Sequence, residues 1–167
     1  DRNRTKGYLN ACYNYIKNPS VNVGSFTDDA QNSQDITAGS SYDIWYNSDI
    51  TSSNFADHNW DGNPWGNYFE GVRKCNVFLA NIDGATADMQ DWERAGWKAQ
   101  ALTLRAWYYL QLMKRYGQLP LITSDLGTNH DYSSDKKATV SEIAGQILAD
   151  CDAAIATEDS EAYSYVY

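Results

Sequence analysis

The chain has 167 residues, with 13 Lys+Arg against 22 Asp+Glu and a formal net charge of −9. That length fits one domain, and 43% apolar residues suffice for a real core, so a disordered chain is excluded. The acidic balance excludes a nucleic-acid partner, since nothing could neutralise a run of phosphates, and no stretch approaches the ~20 apolar residues of a membrane span. Aromatic content is high at 14%, with six Trp and thirteen Tyr. Such side chains join a flat apolar body to one hydrogen-bonding atom, which suits either a bulky helical core or a half-wet binding surface.

The spacing of Tyr8, Leu9, Cys12 and Ile16 predicts a first helix over residues 4–17, stopped by Asn18-Pro19. From Ser20 to Asn63 no helical period persists. This segment is rich in Ser, Asn, Asp, Gly and Thr, yet holds Tyr42, Trp45, Tyr46, Phe55 and Trp60. A loop of that length is expected to be ordered and to carry function.

A second helix is expected to start with Asn63 as N-cap and Pro64 at its first position. Trp65, Tyr68, Val72, Cys75, Leu79 and Ile82 make its apolar stripe, and Gly84 is expected to close it in a left-handed conformation.

The third helix, over residues 87–116, carries two stripes. Ala95, Ala99, Leu102, Ala106, Tyr109, Met113 and Tyr116 form one; Trp97, Ala101, Leu104, Tyr108 and Leu112 form the other, roughly opposite. A helix apolar on two faces must be packed on two sides. Gly117 and Pro120 end it, and a polar loop follows from Leu121 to Lys137. Thr139-Val-Ser-Glu142 is a capping box that opens a fourth helix, with Ile143, Ile147, Cys151 and Ala154 buried and a fade near Thr157. No β-alternation persists. The predicted class is all-α, built of antiparallel helical pairs.

Cys12, Cys75 and Cys151 read as small buried hydrophobes on helices, with bridging of one pair open in an oxidising compartment. Trp65, Trp97, Trp107 and Tyr109 read as core. Arg105, crowded between the stripes, reads as an ion-pair or carbonyl-binding residue, because a buried guanidinium needs acceptors.

The run Lys98-Ala-Gln-Ala-Leu-Thr-Leu-Arg105-Ala106-Trp-Tyr-Tyr-Leu-Gln-Leu-Met-Lys-Arg-Tyr116-Gly117-Gln-Leu-Pro120-Leu resembles the long-helix motif of the SusD/RagB family of outer-membrane nutrient-binding lipoproteins. Three further matches stand in the same order. Trp65-x-x-Tyr68-x-x-x-Val72-x-x-x-Asn76 resembles the family's upstream helix. Ala138-Thr-Val-Ser-Glu142 with Ile147-x-x-Asp150-x-x-x-Ala154 resembles the downstream one, and Asp28-Asp29-Ala30 stands where an acidic pair is common. The resemblance implies a tetratricopeptide-like stack of helical pairs. Because family members are much longer, it makes residues 1–167 one helical lobe, the N-terminal part of a longer chain, with residues 20–63 as a functional loop segment within it. It further implies non-catalytic capture of oligosaccharides or polysaccharides at the bacterial surface for a SusC-like TonB-dependent transporter. Localisation would be the outer membrane, through a lipid anchor outside these residues.

Sugar recognition requires aromatic plates against ring C–H faces, with amides and carboxylates for the hydroxyls. Trp60, Trp45 and Tyr46 are the candidate plates, and Asp49, Asn54, Asp57 and Asn59 the candidate hydrogen-bonding partners. Trp45 and Tyr46 could equally wedge the loop against the helices.

Asp57-His-Asn59-Trp-Asp61-Gly62 copies the first half of a calcium loop, but position 12 is Tyr68, where a bidentate Glu is required. An Asx-rich turn is therefore the default and no metal is assigned. No cofactor motif is present. Carboxylate pairs (Asp28 and Asp29, Asp57 and Asp61, Glu158 and Asp159) lie in polar stretches, His58 and His130 lack a nucleophile pattern, and no GxSxG, P-loop or HExxH occurs, so no enzyme is expected. The alternative is a helical-repeat protein–protein scaffold that binds no sugar.

Overall fold

The computed structural model describes residues 2–16, 48–54, 63–85 and 88–157. The chain divides into two compact units, one of Asp1–Ile16 with Trp65–Tyr167 and one of Lys17–Pro64. The first contains all but the opening residue of four helices: α1 (Arg2–Tyr13), α2 (Pro64–Ile82), α3 (Asp91–Tyr116) and α4 (Val140–Ala156). A two-residue antiparallel pair, β1 (Leu119–Pro120) and β2 (Lys137–Ala138), ties the ends of the α3–α4 connection, with Leu119 opposite Ala138. The fold is all-α, as expected; a pairing this short leaves no alternation to read in the sequence.

Helix boundaries show which local signals act. Pro64 opens α2, where its missing N–H costs nothing. Thr139 accepts from the Glu142 N–H while the Glu142 carboxylate reaches back to the Thr139 N–H at 2.7 Å, a complete capping box.

Three expectations are corrected. Helix α1 ends at Tyr13, and the chain then turns through Ile16, whose N–H bonds the Tyr13 carbonyl. Gly84 is not left-handed: α2 closes through tight bonds from the Gly84 and Ala85 N–H groups to the carbonyls of Asn81 and Ile82. Helix α3 starts at Asp91 rather than near Ala87, because Asp88 is left-handed (φ 64°) and the N-cap Gln90 donates to Glu93. The left-handed glycine occurs one helix later: Gly117 (φ 67°) caps α3 by donating to the Met113 carbonyl.

Both stripes of α3 are covered over most of their length, with Tyr116 at the helix end exposed. Ala101, Leu104, Tyr108 and Leu112 enter the main core with Leu9 and Cys12 of α1 and Tyr68, Val72, Cys75, Phe78 and Ile82 of α2. On the other flank, Ala99 and Leu102 meet Ala154 of α4. Close approach of α2 to α3 depends on Gly71, since a Cβ there would lie 2.6 Å from the Tyr108 ring. The Tyr108 hydroxyl donates to the Cys12 carbonyl, joining α3 to α1. All three cysteines are free thiols; Cys12 and Cys75 are fully buried and Cys151 partly so. The hydrogen bond with Cys12 and burial together push the Cys75 thiol far above its ordinary range.

Candidate carbohydrate-binding site

Of the residues singled out for sugar contact, Trp45, Tyr46, Asp57, Asn59 and Trp60 lie outside the described residues, as do Asp28 and Asp29. Asp49 and Asn54 are described. Asn54 closes its own turn: its amide oxygen accepts from the Thr51 N–H at 2.7 Å, and its amide nitrogen donates to the Asp49 carbonyl at 3.0 Å. One donor and one acceptor position of that amide remain for other partners. Asp49 itself is exposed.

Within the first unit, a buried polar knot fixes the connection between α3 and α4. Arg105 donates to both Asp150 oxygens (2.8 and 2.6 Å), to Asn76 Oδ1 (2.9 Å) and to the Thr123 carbonyl (2.9 Å). Asn76 passes the chain on by donating to the Ile122 carbonyl at 2.9 Å, and Gln146 donates to Asp150. The planar guanidinium serves a carboxylate on one edge and two oxygens on the other, which no lysine could do. Arg105 thus makes both the ion pair and the carbonyl contact that its crowded position calls for. Tyr109 is buried as predicted, but its hydroxyl also clasps Ile122, donating to the carbonyl at 2.8 Å and accepting from the N–H at 2.7 Å. Burial pushes this phenol up to about 12.

Anchored at Ile122 and Thr123, the following segment and the first half of α2 enclose a cavity of about 530 Å³. Its apolar lining includes Phe69, Val72, Pro120 and Ile122; Arg73, Asp125 and Asp135 supply charge. Trp65 is the main correction among the aromatics. It was expected in the core, but it is 39% exposed and lines this cavity, packed edge-on against Tyr116 with ring centroids 5.0 Å apart. At the first turn of α2 it lies beyond most of the packing that α3 provides further along. Trp97 and Trp107 are half-buried against the core.

Sequence reasoning missed Tyr132, which is 49% exposed and also lines the cavity. It opens a short 3₁₀ turn, Tyr132–Ser134, whose N-cap Asp131 accepts from the Ser133 N–H. Its ring meets His130 edge-on at 4.7 Å, and His130 in turn bonds Asp135 at 2.9 Å. The available signal was an aromatic inside Asp131-Tyr-Ser-Ser-Asp135, a capped polar turn. Among the described residues no group of His, Cys, Asp and Glu is arranged to hold a metal, and no helix is long and apolar enough to cross a membrane.

Comparison with known proteins agrees with this architecture. A SusD-like family model, described as "Starch-binding associating with outer membrane", matches residues 5–167. No curated protein matches in sequence. Among solved structures, a SusD-like protein from Bacteroides fragilis is similar at 24% identity and a TM-score of 0.74, over 94% of this chain and 30% of that one. Surface glycan-binding protein A from Bacteroides uniformis aligns at 19% identity and a TM-score of 0.65, over 95% and 35%. A laminarin-binding SusD-like protein aligns at 19% and 0.61, over 93% and 34%. This chain thus spans about a third of the length of those structures. With the family model matched along nearly all of it and the four-helix arrangement shared, the chain belongs to the SusD-like family.

Proposed function

We propose that this chain is the helical part of a non-catalytic glycan-binding protein of the bacterial surface. It would capture oligosaccharides or polysaccharides for import through a SusC-like TonB-dependent outer-membrane transporter. The family match over residues 5–167 carries this reading. The family model's description supports the outer-membrane setting, and in this reading a lipid anchor outside these residues is the means of attachment. Trp60, Trp45 and Tyr46 serve as stacking plates, with Asp49, Asn54, Asp57 and Asn59 meeting hydroxyls. In support, the Asn54 amide is held rigidly by its turn and still has hydrogen-bonding capacity to offer.

Titration of the full-length protein with the glycan it binds tests the assignment. Trp60→Ala is expected to weaken binding by about tenfold, the upper range of one aromatic contact; unchanged affinity removes Trp60 from the site. A second reading, a helical-repeat scaffold for protein partners, is favoured by one observation: α4 exposes Leu148 and Ile155, at 64% and 59%. A blank glycan array together with recovery of a defined peptide partner would favour it over the first.

A further inference from the structure

We infer that the cavity between α2 and the 122–135 segment is a second sugar-contact site, selective for neutral oligosaccharides. The ligand class rests on the glycan-binding reading above; the site itself rests on its own geometry. A sugar ring presents an apolar C–H face and a polar edge, and the cavity offers matching surfaces. Trp65 and Tyr132 are large, partly exposed aromatics, and Phe69 and Ile122 give an apolar lining beside them. A volume of about 530 Å³ lies within the range of about 300–1,000 Å³ usual for small-molecule sites.

The walls are fixed before any ligand arrives. Arg105, Asn76 and Tyr109 hold the backbone at Ile122 and Thr123, and the capped turn at Asp131 holds Tyr132 against His130. Preorganised walls spare a ligand the cost of ordering them.

One atom in the lining calls for a partner. Asp135 Oδ1 is engaged by His130, but Asp135 Oδ2 is buried with no hydrogen-bond partner among the described residues. A buried carboxylate oxygen left unpaired is costly, and a small shift of the Tyr132–Asp135 turn on ligand entry would bring a sugar hydroxyl to it. Charge sets the class. Glu70, Asp125 and Asp135 line the cavity against Arg73 alone, with Lys74 bound to Glu70 at 3.4 Å. Carboxylates accept well from neutral hydroxyls and repel uronic acids or sulfated sugars.

The test is calorimetric titration of the full-length protein with maltohexaose, laminarihexaose, xylohexaose and hexagalacturonic acid. At least one neutral hexaose is expected to bind, Tyr132→Ala to weaken it by about tenfold, and hexagalacturonic acid to give no signal. Asp135→Asn is expected to weaken the same sugar several-fold. Bound sugar should also slow amide exchange across residues 122–135 in the unaltered protein, a readout that needs no variant to fold. If Trp60→Ala abolishes binding while Tyr132→Ala, Asp135→Asn and exchange at 122–135 change nothing, the glycan-binding reading stands and this site falls. If no hexaose binds the unaltered protein, this site falls as a neutral-sugar site, and the glycan-binding reading falls with it only where a glycan array is blank as well. Tyr132-dependent binding of hexagalacturonic acid overturns the charge argument.

Discussion

Truncating Arg105 would leave the Asp150 carboxylate, 2% exposed, inside the protein with its guanidinium gone. Breaking one half of such a pair is far worse than replacing both halves, because the stranded charge keeps its desolvation cost. Arg105→Met is therefore expected to lower unfolding free energy by about 3–5 kcal/mol in urea denaturation of the full-length protein. Arg105→Met combined with Asp150→Leu is expected to recover a large part of that loss. A single variant within about 1 kcal/mol of the parent would show that the knot is not structural. The same residues connect stability to the site, since they hold the two carbonyls from which the cavity wall departs. The need of Arg105 for acceptors is legible from its place on a crowded helix. Their identity is not, because Asn76, Thr123 and Asp150 are brought together only by tertiary packing.

At the level of elements, the α2–α3 contact turns on one glycine. The Tyr108 ring stands where a Cβ on Gly71 would go, and that ring is fully buried with its hydroxyl bonded to the Cys12 carbonyl, so it has no room to withdraw. Gly71→Ala is expected to cost about 1–3 kcal/mol, the usual penalty of overpacking, although alanine is the better helix former. Thermal unfolding checks this; a raised midpoint would mean that α2 and α3 can separate without loss. Such contacts explain what was readable in advance. Pro64, Thr139 and Glu142 act within a turn of their own position, and the two stripes of α3 repeat over many residues, so these features were plain in the sequence. The start of α3 and the end of α2 depend on backbone angles at Asp88 and Gly84 that composition does not dictate. Trp65 misled because periodicity gives a face of a helix but not how far along it the neighbour extends. The cavity is not legible in the sequence for a related reason: Tyr132 and Asp135 are far from Trp65 along the chain, and no period links a loop to a helix.

Across the whole molecule, the acidic balance of −9 combines with a few specific pairs to shape stability against pH. The Arg2 guanidinium donates to Glu93 at 2.8 Å, tying α1 to α3, and holds that carboxyl below its usual range. Bonds from Thr139 do the same for Glu142, and bonds from Ser133 for Asp131. A carboxyl whose folded value lies below its unfolded one binds fewer protons when folded. Its contribution is complete above the unfolded value and is lost as pH falls through the folded one. On the alkaline side, burial raises Tyr108 and Tyr109, the latter to about 12. These phenols stay protonated when folded, so their contribution is complete below the ordinary phenol value of about 10 and is lost as pH rises through the folded value. Thermal midpoints are thus expected to be level between these limits, falling below about pH 4 and again above about pH 10. Glu93→Gln should lower the plateau and make the acid limb shallower. An acid limb of the same slope in that variant would show that Arg2 and Glu93 do not couple α1 to the rest of the fold.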